Sequence, residues 1–537
     1  RSRPMGSGSA VTAVKACRVG VVDIVNWKCE CDILVIGGGA TGLGAAVDAA
    51  SRGYRVILLE QHDFAKGTSC RSTKLVHGGV RYLAQGDVSM VVEALHERGR
   101  MRLNAPHLVK DMRFIIGNYR WWEKPFYAVG LTCYDLLAGR KALGRSLPML
   151  KRSVLKEIPS LKHEGLRGGV VYHDGQFDDS RMAITLALTA VDKGGVCLNY
   201  MKVNCLLKDA AGKINGVHAV DTLDGKEYQI KSKVVVNATG VFVDDVMKMD
   251  ECDTRRKVRP SQGVHLVVDS KFLGGRSALM IPKTKDGRVL FGVPWHGKVV
   301  LGTTDTPLNE ASLEPRALEE EVDFILDQAG QYLDRKPTRA DVLSIFAGLR
   351  PLAAPTHADS KKTKEISRNH KIYRSKSGLL TITGGKWTTY RAMAEDVINQ
   401  AIVIGGLSPA ECVTKNLRVH GYTKEQFDEN DWNYVYGSDA SKIQKMIEKE
   451  PSFAEKLYEG YTFTVAHVVW AAREEFAQNI EDVLARRVRM LFLDARAALK
   501  IAPKVASVLA AELGKDKTWE QAQIADFNRL ARGYILN

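Results

Sequence analysis

The apolar run Ile33, Leu34, Val35, Ile36 ends in Gly37-Gly38-Gly39-Ala40-Thr41-Gly42 and passes directly into the helix-forming stretch that reaches Arg52. Strand, glycine turn and helix follow one another. Gly37 allows the tight turn, Gly39 lets backbone approach a pyrophosphate, and Gly42 permits close packing of helix on strand. The helix amino terminus offers unpaired N–H groups to phosphate oxygens. A second apolar run, residues 56–59, ends at Glu60 and completes a βαβ unit, with a carboxylate placed to take ribose hydroxyls. The chain is thereby committed to an α/β fold with a dinucleotide site near its start.

The 537 residues suffice for two to four domains, and 45% hydrophobic with 26% charged residues is ordinary globular usage. No apolar run approaches the ~18 residues needed to cross a bilayer, which leaves attachment to a membrane surface open. With 77 Lys and Arg against 62 Asp and Glu, the net charge of +15 attracts phosphates, anionic lipid or nucleic acid without choosing among them. No nucleic-acid-binding module accompanies that charge, so no nucleic-acid partner is expected. The nine cysteines contain no CxxC pair and no metal-type spacing, so neither a disulfide reductase nor a metal site is expected, and an odd count fits a reducing compartment. Residues 1–30 carry Arg1, Arg3, Lys15 and Arg18 before the first acid, Asp23, in the manner of a targeting segment or a divergent tail, and stand outside the fold argument.

Later strand-like runs at 234–236, 264–268, 298–301 and 379–383 alternate with helical stretches, whereas the chain beyond about residue 408 reads as amphipathic helix. The expected architecture is a Rossmann-like nucleotide domain interleaved with a mixed-sheet substrate domain over residues 31–405, then a separate helical domain over 406–537. The glycine motif alone does not separate FAD from NAD. Two later segments do: VVVNATG at 234–240, ending in Thr239 and Gly240, and TITGGKWTTYR at 381–391, with Gly384, Gly385 and Lys386. Both resemble returning segments of FAD-dependent oxidoreductases, and a discontinuous cofactor domain does not suit a simple NAD dehydrogenase.

GTSCRSTKLVHGGVRYL (67–83), APHL (105–108), GTTDTP (302–307), GLRPL (348–352), ISRNHK (366–371) and GGKWTTYR (384–391) occur in this order. Together they resemble FAD-dependent glycerol-3-phosphate dehydrogenase, from about residue 31 to the carboxy terminus. The resemblance implies a flavoprotein that oxidises sn-glycerol 3-phosphate to dihydroxyacetone phosphate and passes two electrons to membrane quinone. It also implies a peripheral protein of the bacterial cytoplasmic membrane or the mitochondrial inner membrane. A related oxidase that makes hydrogen peroxide and a noncatalytic flavoprotein scaffold are the alternatives, and assembly, including a homodimer, stays open.

Oxidation of a secondary alcohol needs a base at the hydroxyl, a hydride acceptor at the carbon and cations for the phosphate. By the resemblance, Arg350, Arg368 and Lys386 anchor substrate or stabilise negative charge, with Arg81 and Tyr82 as a further wall and Thr304 as a hydroxyl donor. His265 is the expected base and His77 its competitor, placed nearer the flavin. Ser69, Ser72, Thr73 and Lys74 are expected to line the cofactor. The Trp121, Trp122, Phe126, Tyr127 and Tyr134 stretch, with its basic neighbours, suits either a headgroup boundary or internal packing. The run of Lys and Arg at 361–376 suits lipid, substrate steering or a solvated loop. Arg486, Arg487, Arg489 and Arg496 read as a solvated or salt-bridged helix face, without chemistry of their own.

Overall fold

The computed structural model describes residues 29–83, 87–285, 287–354, 370–425 and 431–536. Its first sheet runs, edge to edge, through Lys371–Arg374, Leu380–Thr383, Glu227–Asn237, Glu30–Ile36, Val56–Leu59 and Val196–Leu198. Glu30–Ile36 pairs in parallel with both of its neighbours, Ile36 opposite Leu59 on one side and Asn237 on the other. Strands covered on both faces must be apolar throughout, which is why 33–36 and 56–59 show no alternation. The helices Ala40–Ser51, Asp179–Asp192 and Tyr390–Ile404 cover one face, and the antiparallel pair Met201–Lys208 and Ile214–Asp221 helps to close the other.

The second sheet has ten strands. Its long strand Val258–Asp269 lies antiparallel between Val342–Ala353 and Lys298–Gly302, and Val109–Asn118 pairs with Gly168–Phe177 further along. The chain visits this sheet at 75–177 and 258–353 and the first sheet before, between and after, so the two are interleaved as the sequence implied.

Beyond Ile404 the described residues form helices and turns, with one isolated bridge between Lys456 and Thr464. The apolar core of this helical part runs on into that of the first sheet. Val468, Leu484 and Leu491 join Val35, Leu43 and Val236 in one continuous apolar cluster. The helical part is also tied to the strand Val342–Ala353, where Ser344 Oγ donates to the Leu491 carbonyl (2.8 Å) and Ile345 N donates to that of Tyr534 (2.9 Å). No helix among the described residues is long and apolar enough to cross a membrane.

Candidate active site

A cleft of about 530 Å³ opens where the parallel strands of the first sheet end, the place where such sheets bind nucleotides. Gly37, Gly39, Glu60, Thr239, Gly240 and Gly384 stand on its wall. Gly37 has φ +108°, and a Cβ there would fall 2.8 Å from the Ala238 carbonyl oxygen. Gly42 lies behind the wall: a Cβ would sit 1.9 Å from the Gly37 oxygen, so this glycine lets the helix seat against the turn. The helix that begins at Ala40 has no side-chain cap from its own N-cap, Gly39, and Ser69 Oγ accepts the Ala40 N–H at 2.9 Å. Glu60 accepts from Gly38 N (2.7 Å) and His62 N (2.9 Å), and burial pushes its carboxyl up from the ordinary range. Those bonds fix the carboxylate at the cleft while leaving lone pairs for ribose hydroxyls. The cradle of glycine backbone, helix amino terminus and fixed carboxylate fits the adenosine diphosphate half of FAD. At the other end Gly385, Lys386 and Trp387 close the wall, and Trp387 Nε1 donates to the Ser69 carbonyl at 2.9 Å.

A smaller cavity of about 170 Å³ adjoins this end and shares Thr73, Leu75, His77 and Arg350 with the main cleft. Arg350 rises from the strand Val342–Ala353, its guanidinium donating to the Thr304 carbonyl (3.1 Å), Thr303 Oγ1 (3.3 Å) and Asp305 Oδ1 (3.3 Å). Asp305 in turn accepts from Ser261 Oγ. Nothing in the sequence singled out Thr303 or Asp305 as partners of Arg350, although GTTDTP and GLRPL were both legible as motifs.

His265, in the middle of Val258–Asp269, is 2% exposed and stacks on Phe346 with ring centroids 4.9 Å apart. Its Nε2 lies 2.9 Å from Thr73 Oγ1, while Nδ1 is buried with no hydrogen-bond partner among the described residues. Burial, then Lys74 and Arg350, hold the imidazole well below its ordinary value, so the ring is neutral. His77 is half-buried at the junction of the two cavities, where its N–H donates to Thr388 Oγ1 at 3.3 Å. Ser72 lines the cleft with its hydroxyl and N–H both directed to Asp179. Lys386 lines the cleft, with Nζ 3.6 Å from Met90 Sδ.

One expectation is corrected. Lys74 does not line the cleft. Its backbone, at φ +64°, turns the side chain beneath the floor, where Nζ donates to Asp179 Oδ2 and the Cys70 carbonyl, each at 2.7 Å. The rings of Trp295, Phe346 and Phe492 surround this ammonium, and burial pushes it down to about 8. Thr304 borders the smaller cavity, but its hydroxyl is taken up structurally, donating to Glu321 Oε1 (2.8 Å) and accepting from Val264 N (3.0 Å). Thr303 is the neighbour whose hydroxyl meets Arg350. Arg81 and Tyr82 stand on the short helix Val80–Leu83, with their side chains outside the described residues, and Arg368 is also outside them.

Arg486, Arg487 and Arg489 of the helical part are buried and salt-bridged, whereas Arg496 is exposed and donates to the Val342 and Leu536 carbonyls. Arg486 and Arg487 both hold Asp63, in the loop that follows Glu60, and Arg486 also meets Glu481 (2.7 Å) and Asp482 (2.9 Å). Lys66 of the same loop pairs with Glu481 at 2.7 Å. Burial disfavours charge on Asp63, but Arg487 and Arg486 outweigh it and keep the carboxyl below its ordinary range. Arg489 reaches the other end of the cleft, donating to Asp179 Oδ1 (2.9 Å), Ser180 Oγ (2.7 Å) and the Cys70 carbonyl (3.2 Å). One segment of the helical part therefore braces both ends of the cofactor floor.

Known proteins bear directly on this arrangement. The family of FAD dependent oxidoreductases matches residues 32–391, and the C-terminal domain of alpha-glycerophosphate oxidase matches 380–521. The chain is 41% identical over 535 residues to the mitochondrial glycerol-3-phosphate dehydrogenase of Arabidopsis thaliana, spanning 92% of this chain and 84% of that one. It is 40% identical over 528 residues to the mitochondrial enzyme of Homo sapiens, spanning 92% and 72%. The solved glycerol-3-phosphate dehydrogenase from Bacillus halodurans, complexed with FAD, superposes with a TM-score of 0.77 at 29% identity over 98% of each chain. A dinucleotide cradle adjoined by a small cavity with Arg350 on its wall, over the length of these relatives, means that the chain belongs to the family of FAD-dependent glycerol-3-phosphate dehydrogenases.

Proposed function

We propose that this protein oxidises sn-glycerol 3-phosphate to dihydroxyacetone phosphate and delivers the electrons to membrane quinone. The observation that carries the reading is Arg350 on the shared wall of the two cavities, where a phosphate in the smaller one sets the carbinol beside the main cleft. Bound FAD supplies the hydride acceptor. Arg350 and Lys386 supply positive charge for the phosphate and for negative charge built up on reduction. His265, neutral in its apolar strand, takes the hydroxyl proton. Phosphate dianion beside Arg350 offsets one of the two cations that depress the ring, so its basicity rises when substrate binds.

The helix Glu123–Ala138 supports a peripheral membrane face. It buries Leu131, Tyr134 and Ala138 and leaves Phe126 (64%), Val129 (66%) and Leu136 (75%) outward, continued by Trp121 (78%) and by Leu150 of the neighbouring strand Leu147–Leu150. Apolar side chains of this size beside Arg120 and Lys124 suit the headgroup boundary. The relatives named mitochondrial support a mitochondrial location, and the outward apolar face supports attachment to a membrane surface there.

Anaerobic addition of glycerol 3-phosphate to the purified holoprotein tests the reading. The visible flavin band should bleach and return on adding a quinone analogue with lipid vesicles. An unbleached yellow protein would overturn the substrate, and stoichiometric peroxide in air with no quinone response would favour the oxidase.

A further inference from the structure

The sequence grouped Thr73 with the residues that line the cofactor, yet its hydroxyl occupies a more particular place. It belongs to the wall of both cavities and is also the polar partner of His265. His265 itself borders the main cleft only, and its other nitrogen is buried among apolar neighbours. In this arrangement the polar route from the small cavity to the imidazole runs through the Thr73 hydroxyl. The hydroxyl is held firmly. Ser72 on one side is bonded twice to Asp179, at 2.7 and 3.0 Å, and Lys74 on the other is bonded to the same carboxylate. Asp179 is gripped in turn by Arg489 from the helical part. Lys74 sits in the left-handed region, a conformation that costs a residue with a side chain of order 1 kcal/mol and persists where surrounding bonds enforce it.

We propose that Thr73 is a catalytic residue, a hydroxyl relay that carries the carbinol proton of the substrate to His265. The inference rests on the reading of His265 as the base. In the step, the substrate O–H breaks as an O–H forms on Thr73 Oγ1, and the original Thr73 O–H breaks as an N–H forms on His265 Nε2. Two protons shift, the net transfer is one, the threonine is regenerated, and the ring becomes imidazolium as the substrate is left with an alkoxide whose charge departs with the hydride. The tautomer that accepts in this way carries its ring proton on Nδ1. The charged groups facing the ring are Lys74 from below and Arg350 from the adjoining strand, and both favour the neutral ring that can accept.

The relay is tested with Thr73→Val, which keeps the shape and removes the hydroxyl, and Thr73→Ser, which restores it. Anaerobic single-turnover reduction should slow about 10²-fold in T73V with flavin content unchanged, and should return to within a few-fold of normal in T73S. A second readout counts the protons in flight. In mixtures of light and heavy water the single-turnover reduction rate should fall along a bowed line in the normal holoenzyme and T73S, as two linked transfers require, and along a straight line in T73V. Normal reduction in T73V with an unchanged bowed isotope dependence, and with His265→Ala slow, would overturn the relay and leave the base in place. Normal reduction in H265A would overturn the base itself and the relay with it. If T73V holds no flavin, Thr73→Ala takes its place beside T73S, and equal behaviour of those two would overturn the proposal.

Discussion

The protein uses arginine in two ways, and the difference lies in what each guanidinium touches. Arg486, Arg487 and Arg489 are buried and meet carboxylates, with Arg487 straddling both oxygens of Asp63 and Arg489 bonded to Asp179 at 2.9 Å. Arg350 borders the cleft, and its bonds to described residues, at 3.1–3.4 Å, go mainly to carbonyl and hydroxyl oxygens. A buried guanidinium with close carboxylate partners is committed to the fold, because removing one partner strands the other charge. A guanidinium on a cavity wall, with one carboxylate at 3.3 Å and its other bonds here to neutral oxygens, can still turn positive charge toward an incoming anion.

Removing Arg487 is the strongest way to break the comparison. Arg487→Met leaves Asp63 with Arg486 and the Asn199 amide and should cost about 3 kcal/mol, the low end for a broken buried pair. Thermal unfolding of the holoprotein should move down by several degrees, with a fall in the flavin retained on purification. An unchanged melt would mean that the buried block is not structural. Arg350→Ala sharpens the other half. It should raise the half-saturating glycerol 3-phosphate concentration about 10²-fold, the equivalent of losing charge-assisted bonds to phosphate, while the melt stays within about 0.5 kcal/mol of normal. A large loss of stability there would erase the distinction.

His420 is an intermediate case with a smaller expected effect. Its nitrogens meet Asp192 (2.7 Å), at the end of the helix Asp179–Asp192, and Asp439 (2.8 Å) of the helical part. Burial opposes the charge, but the two aspartates outweigh it and raise the imidazole to about 9. Since the folded value exceeds the ordinary 6.5, the stabilisation is complete below that pH and disappears as pH rises through about 9. His420→Asn should therefore lower stability by roughly 1–2 kcal/mol at about pH 6 and by almost nothing near pH 10. A deficit that is the same at both ends would assign His420 a packing role instead.

What the sequence disclosed were features written locally. Gly37, Gly39 and Gly42, the Thr239-Gly240 turn and Gly384-Gly385 each reveal themselves through the backbone geometry that their own neighbours require. Lys74 was misread because a lysine in a Ser-Thr loop looks like a ligand donor, and the carboxylate that draws it beneath the floor lies at Asp179, 105 residues on. The structural partner of Thr304 was illegible for the same reason, its acceptor Glu321 being on another element. Helical periodicity gave no orientation for Arg486 and Arg487, since their partner Asp63 is more than 400 residues earlier. Nor does any spacing join Thr73 to His265 across 192 positions.

The brace between Asp63 and the arginine pair also governs when the protein can become a flavoprotein. A ribosome delivers the glycine turn and Glu60 within the first tenth or so of synthesis, but the strand partners at 227–237 and 380–383 and then Arg486 and Arg487 emerge far later. Contacts so distant along the chain form slowly. The nucleotide floor cannot be completed while the carboxy-terminal helices are still being made, so durable capture of FAD belongs to the finished polypeptide, and a nascent chain stalled before residue 487 would carry the motif without a braced cofactor floor.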